Sequence, residues 1–191
     1  MKLGVFGGTF DPVHYGHLAI ALAAIESLAL DRVVFVPAKR SPLKNDVPVA
    51  SAADRVAMLE RAIADEPRFE CSRLEIERPA PSYSVDTLAA LSGKGTLFLI
   101  LGADAARDIE RWKDVARIRA LATVVVARRP GSEMPAERGL VPLDAALMDV
   151  SSRDLRARAA RGRSLRYLVP DSVWRYITDR DLYRVTASTA S

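Results

Sequence analysis

Twelve consecutive residues near the amino terminus, Gly7-Gly8-Thr9-Phe10-Asp11-Pro12-Val13-His14-Tyr15-Gly16-His17-Leu18, hold the densest set of groups suited to handling phosphate. The glycine pair lets a backbone approach a phosphate closely, because no Cβ stands in the way. The stretch follows an apolar run and opens a helical pattern, so uncapped N–H groups and a favourable dipole for anions lie close by. His14 and His17 are the only histidines of the chain and lie three residues apart, a spacing that turns both rings toward one ligand on a first helical turn. Hydrogen donors placed there would stabilise charge growing on a transferring phosphoryl group. Other chemistries fit less well. No Gly-Lys-Ser/Thr follows the glycines, as a Walker loop requires, and the glycines lack the spacing of a dinucleotide fingerprint. Two histidines with no glutamate between them and no third ligand do not make a zinc site.

Five further places carry residues that a binding site would use. Lys44 lies in a loop, where it is either a mobile phosphate contact or a solvated lysine. Ser82-Tyr83-Ser84-Val85-Asp86-Thr87 starts a helical pattern, with Ser84 as its expected cap. Gly102-Ala103-Asp104 follows an apolar run, and Asp104 suits either a helix cap or the hydroxyls of a ribose. Trp112 offers a face for stacking or a wedge for packing. Ser151-Ser152-Arg153-Asp154-Leu155-Arg156 opens another helix; Ser152 and Arg156, four apart, share one face and together resemble half of a phosphate clamp.

Gly8-Thr9-Phe10-Asp11-Pro12 followed by His14-x-Gly16-His17 resembles the HxGH nucleotidylyltransferase superfamily. Within it, the chain is similar from Met1 to about Tyr183 to the bacterial nicotinate-nucleotide adenylyltransferases. The resemblance implies transfer of AMP from ATP to nicotinate mononucleotide with Mg²⁺, giving deamido-NAD and pyrophosphate. It assigns the chemistry to His14, His17, Lys44 and Arg156. It assigns ATP to Gly7, Gly8, Thr9, Phe10, His17, Gly102, Asp104, Ser151, Ser152 and Arg156, and the acceptor to Lys44, Tyr83, Ser84, Asp104 and Trp112, with no protein-held metal. Three positions depart from the family pattern: Leu43 where histidine is usual, Ser84 for threonine, and Arg153 for threonine. The nearest rival is the phosphopantetheine adenylyltransferase family, which usually has threonine at the position of His14 and lacks the Ser-Tyr-Ser-x-Asp-Thr segment. A non-catalytic nucleotide- or RNA-binding module is the rival from another class, distinguished by strongly salt-dependent binding without turnover.

The elements that must position these residues alternate along the chain. Short apolar runs at 3–6, 33–36, 97–101 and 123–127 read as strands, and helical patterns fall at 18–28, 52–63, 84–91, 105–109, 115–121, 152–161 and 172–178. Runs apolar on both faces and separated by helices imply a parallel sheet covered on both sides. The fold class is therefore α/β, and the family resemblance implies a Rossmann-like doubly wound sheet with a small C-terminal helical portion. Ligands bind beyond the carboxyl ends of such strands, which directs attention to the residues after Phe6, Val36, Leu101 and Val150. Residues 1–185 read as one nucleotidyltransferase domain whose helical part is 151–185; 128–139 reads as a loop and 186–191 as a disordered tail.

Bulk composition agrees. At 191 residues, 49% hydrophobic and 27% charged, the chain has the make-up of a globular protein able to bury a core. One cysteine, Cys71, precludes an intrachain disulfide and fits a reducing cytoplasm. No run approaches the length of a membrane span. The net charge of +4 suits anionic small molecules as well as nucleic acid, but no nucleic-acid module pattern is present. Composition leaves self-association into a homo-oligomer open.

Overall fold

The computed structural model describes residues 1–39, 48–79, 81–128, 139–146 and 148–184. Six parallel strands form one sheet: β1 (Lys2–Gly8), β2 (Arg32–Pro37), β3 (Phe69–Cys71), β4 (Thr96–Gly102), β5 (Ala122–Arg128) and β6 (Leu140–Asp144). Their spatial order is β3-β2-β1-β4-β5-β6. β1 therefore pairs with both β2 and β4, through Val5 opposite Val34 and Leu99, and the winding reverses on either side of it. That reversal opens a crevice at the carboxyl ends of β1 and β4, the place where open parallel sheets bind ligands.

Alternation along each strand sends side chains to two separate cores. Leu3, Val5, Val34, Val36, Leu97, Leu99 and Leu101 pack on one face with α4 (Ser84–Leu91), α5 (Ala103–Arg107) and α6 (Val115–Leu121). Phe6, Val33, Phe35, Ile100 and Val125 pack on the other with α1 (Tyr15–Leu28), α2 (Ala52–Ile63), α7 (Ser152–Ala160) and α8 (Asp171–Asp179). Full burial of each Leu, Ile, Val or Phe side chain contributes about 1.5–3 kcal/mol, so continuous apolar runs are the expected signature of strands covered twice. The C-terminal helices share this second core, where Leu155, Val173, Ile177 and Tyr183 join residues of β1 and α1.

The structure departs from the sequence expectations in a few elements. α1 starts at Tyr15 rather than residue 18, because His14 itself, with extended backbone, is the N-cap. The helix expected at 105–109 begins instead at Ala103, directly off Gly102, and a 3₁₀ turn at Ile109–Arg111 follows it. β3, the short α3 (Leu74–Glu77) and β6 have no counterpart in the sequence reading. β6 lies at the sheet edge and contains Pro142, a residue whose missing N–H an edge strand tolerates. Val150 ends no strand; residues 148–151 are an irregular approach to α7. Among the described residues no helix is long and apolar enough to cross a membrane.

Candidate active site

The glycine pair ends β1, and the chain beyond it turns sharply. Phe10 has φ of 50°, a left-handed backbone that places its ring directly under Gly8, where an added Cβ would meet the ring at 2.9 Å. Glycine is therefore required at position 8 by packing as well as by any phosphate. The Phe10 ring is 1% exposed and packs edge-on against Phe6 and Phe35, so only the backbone of Phe10 is left to meet a nucleotide.

His14 and His17 stand at the N-cap and third position of α1, with ring centroids 3.8 Å apart and planes tilted by 32°. The backbone N–H of His14 donates to His17 Nδ1 at 3.3 Å, so the neutral His17 ring carries its proton on Nε2. Gly16 makes the pairing feasible: a Cβ there would lie 3.0 Å from His14 Nδ1. Phe10 supports the His17 ring edge-to-face at 5.0 Å.

The start of α7 is clasped onto the turn after β1. Ser151 caps α7, accepting from Asp154 N at 3.1 Å and donating to Asp154 Oδ2 at 2.6 Å. Ser152, the next residue, donates from Oγ to Pro12 O at 2.9 Å, and Arg156 donates from Nη1 to Asp11 O at 2.7 Å. These contacts join segments about 140 residues apart in the chain. Asp11 is 1% exposed and does not face solvent; its Oδ2 accepts from Val49 N at 2.8 Å and its Oδ1 from Ala50 N at 3.2 Å and Tyr183 Oη at 2.7 Å. Arg55, also 1% exposed, donates through Nη1 to Thr9 O at 2.7 Å and Ala38 O at 2.8 Å, tying the turn after β1 to the end of β2. Burial pulls the guanidinium pKa down, and the Asp11 charge partly opposes it.

A cavity of about 470 Å³ opens at the carboxyl ends of β1 and β4, and neither His14, His17, Ser152 nor Arg156 is among its lining residues. Gly7, Gly8 and Thr9 form one wall, Gly102 and Asp104 another, and Ser82, Tyr83, Ser84 and Trp112 a third. Its volume falls in the range of small-molecule sites, roughly 300–1,000 Å³. Ser84 is the first helical residue of α4, not its cap; Tyr83 occupies the cap position and makes no side-chain capping bond, which leaves the first-turn amides without an internal cap. Asp104 is not a cap either: Gly102 is, and the Asp104 side chain is 82% exposed, 3.5 Å from Arg107. Trp112 follows the 3₁₀ turn, and its Nε1 is buried without a hydrogen-bond partner. Lys44 and Leu43 lie outside the described residues.

Several residues of this region did not stand out in the sequence. Glu75 of α3 is 6% exposed in the cavity wall and accepts from Thr87 Oγ1 at 2.7 Å. Burial raises its pKa and the Thr87 bond opposes that rise. Lys113 lies over the Tyr83 ring at 4.4 Å and pairs with Asp86 at 3.5 Å on the cavity rim. Lys113 sits next to Trp112, but nothing in its neighbours pointed to Tyr83, thirty residues earlier.

The family model described as cytidylyltransferase-like matches residues 5–158. A protein of Thermus thermophilus, named "Probable nicotinate-nucleotide adenylyltransferase", is 48% identical, covering 96% of this chain and 100% of its own. One of Roseiflexus castenholzii under the same name is 46% identical over 96% and 98% of the two chains. The solved structure of Plasmodium falciparum nicotinic acid mononucleotide adenylyltransferase complexed with NaAD matches with a TM-score of 0.77, covering 95% of this chain and 97% of that one. At 16% identity that likeness speaks for the fold alone.

Proposed function

The chain belongs to the nicotinate-nucleotide adenylyltransferases, within the cytidylyltransferase-like family, and from that membership we propose how its residues divide the work. The enzyme transfers the AMP part of ATP to nicotinate mononucleotide, giving deamido-NAD and pyrophosphate in NAD biosynthesis. ATP lies along Gly7–Thr9 and the start of α7, with Gly102 and Asp104 toward its ribose. The acceptor lies between Tyr83, Ser84 and Trp112, its ring on the tryptophan face and its carboxylate on the open amides of α4. The observation that supports this division is the clasp of Ser152 and Arg156 onto Pro12 and Asp11, which ties α7 to the segment directly after Gly7–Thr9, the residues that form one wall of the cavity.

The acceptor's phosphate monoester is the nucleophile, and with a second pKa of about 6 it is already largely ionised at neutral pH. One of its oxygens bonds to the α-phosphorus of ATP as the bond from that phosphorus to the bridging oxygen of pyrophosphate breaks. No base is needed. The protein's task is to hold two anions in line and absorb the charge that spreads over the α-phosphate oxygens. His17, donating from Nε2, His14, Lys44, Arg156 and the Gly8–Thr9 backbone are the donors for that charge. Mg²⁺ would arrive on the ATP phosphates and screen the pyrophosphate leaving group. Residues 1–185 act as one unit in this reading. The cytoplasm is its proposed compartment, consistent with a single cysteine whose burial pushes its thiol up to about 11 and so leaves it unreactive.

Pyrophosphate release from ATP and Mg²⁺, measured in parallel with nicotinate mononucleotide, nicotinamide mononucleotide and phosphopantetheine, tests the assignment. Preferential turnover of the nicotinate acceptor is the expected result. Turnover with phosphopantetheine alone would keep the phosphate clasp and overturn the acceptor site.

A further inference from the structure

One member of the clasp has no part in the chemistry above. Tyr183 lies 172 residues from Asp11 in the chain, is 8% exposed, and donates its hydroxyl to Asp11 Oδ1 at 2.7 Å. Ala50 N donates to the same oxygen, and Val49 N donates to Oδ2. The carboxylate is thus filled by three neutral donors. Arg156 Nη1 stands 3.9 Å from Oδ2 and is held instead by the Asp11 carbonyl at 2.7 Å. An arginine beside a free carboxylate prefers a bidentate fork, two parallel N–H···O bonds that use up the guanidinium edge. Here that fork is not formed. Among the described residues the remaining N–H groups of Arg156 make no other hydrogen bond, and its side chain is 23% exposed.

We propose that Tyr183 is a positioning residue for ATP: by occupying Asp11 it prevents the carboxylate from capturing Arg156, and so leaves the guanidinium available to the triphosphate. The inference rests on the assignment of Arg156 to ATP. The phenol remains a donor at every working pH, because burial, with the Asp11 charge beside it, pushes its pKa far up. A residue that only packed the C-terminal core, against Met58 for example, would disturb both substrates alike. A residue acting through Arg156 disturbs ATP alone.

Steady-state kinetics of Tyr183→Phe, with each substrate varied in turn, separate these roles. The ring is kept, and Asp11 retains both backbone donors. The expected result is a fall in kcat/KM for ATP of about tenfold, the scale of one hydrogen bond to a charged group, with the acceptor KM unchanged. In an Arg156→Ala background the same change should have no further effect, since the residue it acts through is gone. Three results would each overturn the proposal: unchanged ATP kinetics, a parallel rise in both KM values, or full additivity with Arg156→Ala. A variant that yields no folded protein would likewise make Tyr183 a packing residue. Turnover by the unaltered enzyme, measured first, keeps the two readings apart. Its absence defeats the proposed function, whereas its presence with normal Tyr183→Phe kinetics defeats only the coupling.

Discussion

In the proposed division of roles, His17 serves the chemistry and Trp112 serves binding. His17 takes the backbone N–H of His14 on Nδ1, which leaves Nε2 as its donor, supported by the Phe10 ring below. A donor that meets charge only as it develops lowers the barrier without tightening ground-state binding. His17→Ala should therefore lower kcat by about 10²–10³-fold, as for loss of one oxyanion-hole donor, with little change in ATP affinity. Turnover at the normal rate would remove that role. Trp112 supplies a surface, so Trp112→Ala should raise the acceptor KM and leave the ATP KM alone; an unchanged acceptor KM would discard the stacking arrangement. His17 stood out in the sequence through a local signal, a glycine-flanked histidine pair, whereas Trp112 read equally as packing or stacking until the family resemblance favoured the latter. Asp11, Arg55 and Glu75 are legible only in space. Asp11 reads as one residue of a motif until Tyr183, Val49 and Ala50 close around it, and Arg55 reads as one arginine of a helix until it is found buried on Thr9 O and Ala38 O.

Elements obey the same division between local and distant causes. The strands β1, β2, β4 and β5 could be read directly, because a strand covered on both faces must be apolar throughout. β3 and β6 could not: each lies at an edge, one only three residues long and the other interrupted by Pro142. The docking of α8 onto α2 was equally hidden: besides apolar packing and the Ser172 hydroxyl on Arg61 O at 3.1 Å, one carboxylate draws polar groups from both. Asp54 accepts from Ser51 Oγ at 2.6 Å and from Tyr176 Oη at 2.9 Å, and pairs with Arg180 Nε at 2.9 Å. The Ser51 hydroxyl above all, then Tyr176 and Arg180, hold its pKa below the usual value, against a desolvation that raises it. A carboxylate whose folded pKa is depressed stabilises the fold above its unfolded value of about 3.9, and that contribution is lost as pH falls through the folded value. Asp54→Asn should lower Tm by a constant amount from about pH 5 to 8, and the gap should close in stronger acid. A gap that widened on acidification would show that the ionised Asp54 carboxylate does not stabilise the fold through this pairing.

On the scale of the whole molecule, the site belongs to no single part of the chain. In the proposed site, the phosphate wall comes from the turn after β1, the clasp from α7, and the acceptor wall from α4 and the turn before α6; the last described helix packs in the core shared by α1 and α7. ATP binding then stabilises all of these elements together, because an unfolded chain cannot assemble Gly8, Ser152 and Arg156 around one triphosphate. With one site and no affinity for the unfolded chain, ligand at one hundred times its dissociation constant stabilises by about 2.7 kcal/mol. For a chain of this length that moves Tm upward by roughly 5–10 °C. Thermal unfolding followed with increasing ATP and Mg²⁺ should show a rise that grows with the logarithm of concentration, and Arg156→Ala should shift the curve to higher ligand concentration. A Tm that ignored saturating ATP would mean that the two phosphate elements, although joined through Pro12 and Asp11, do not act as one site.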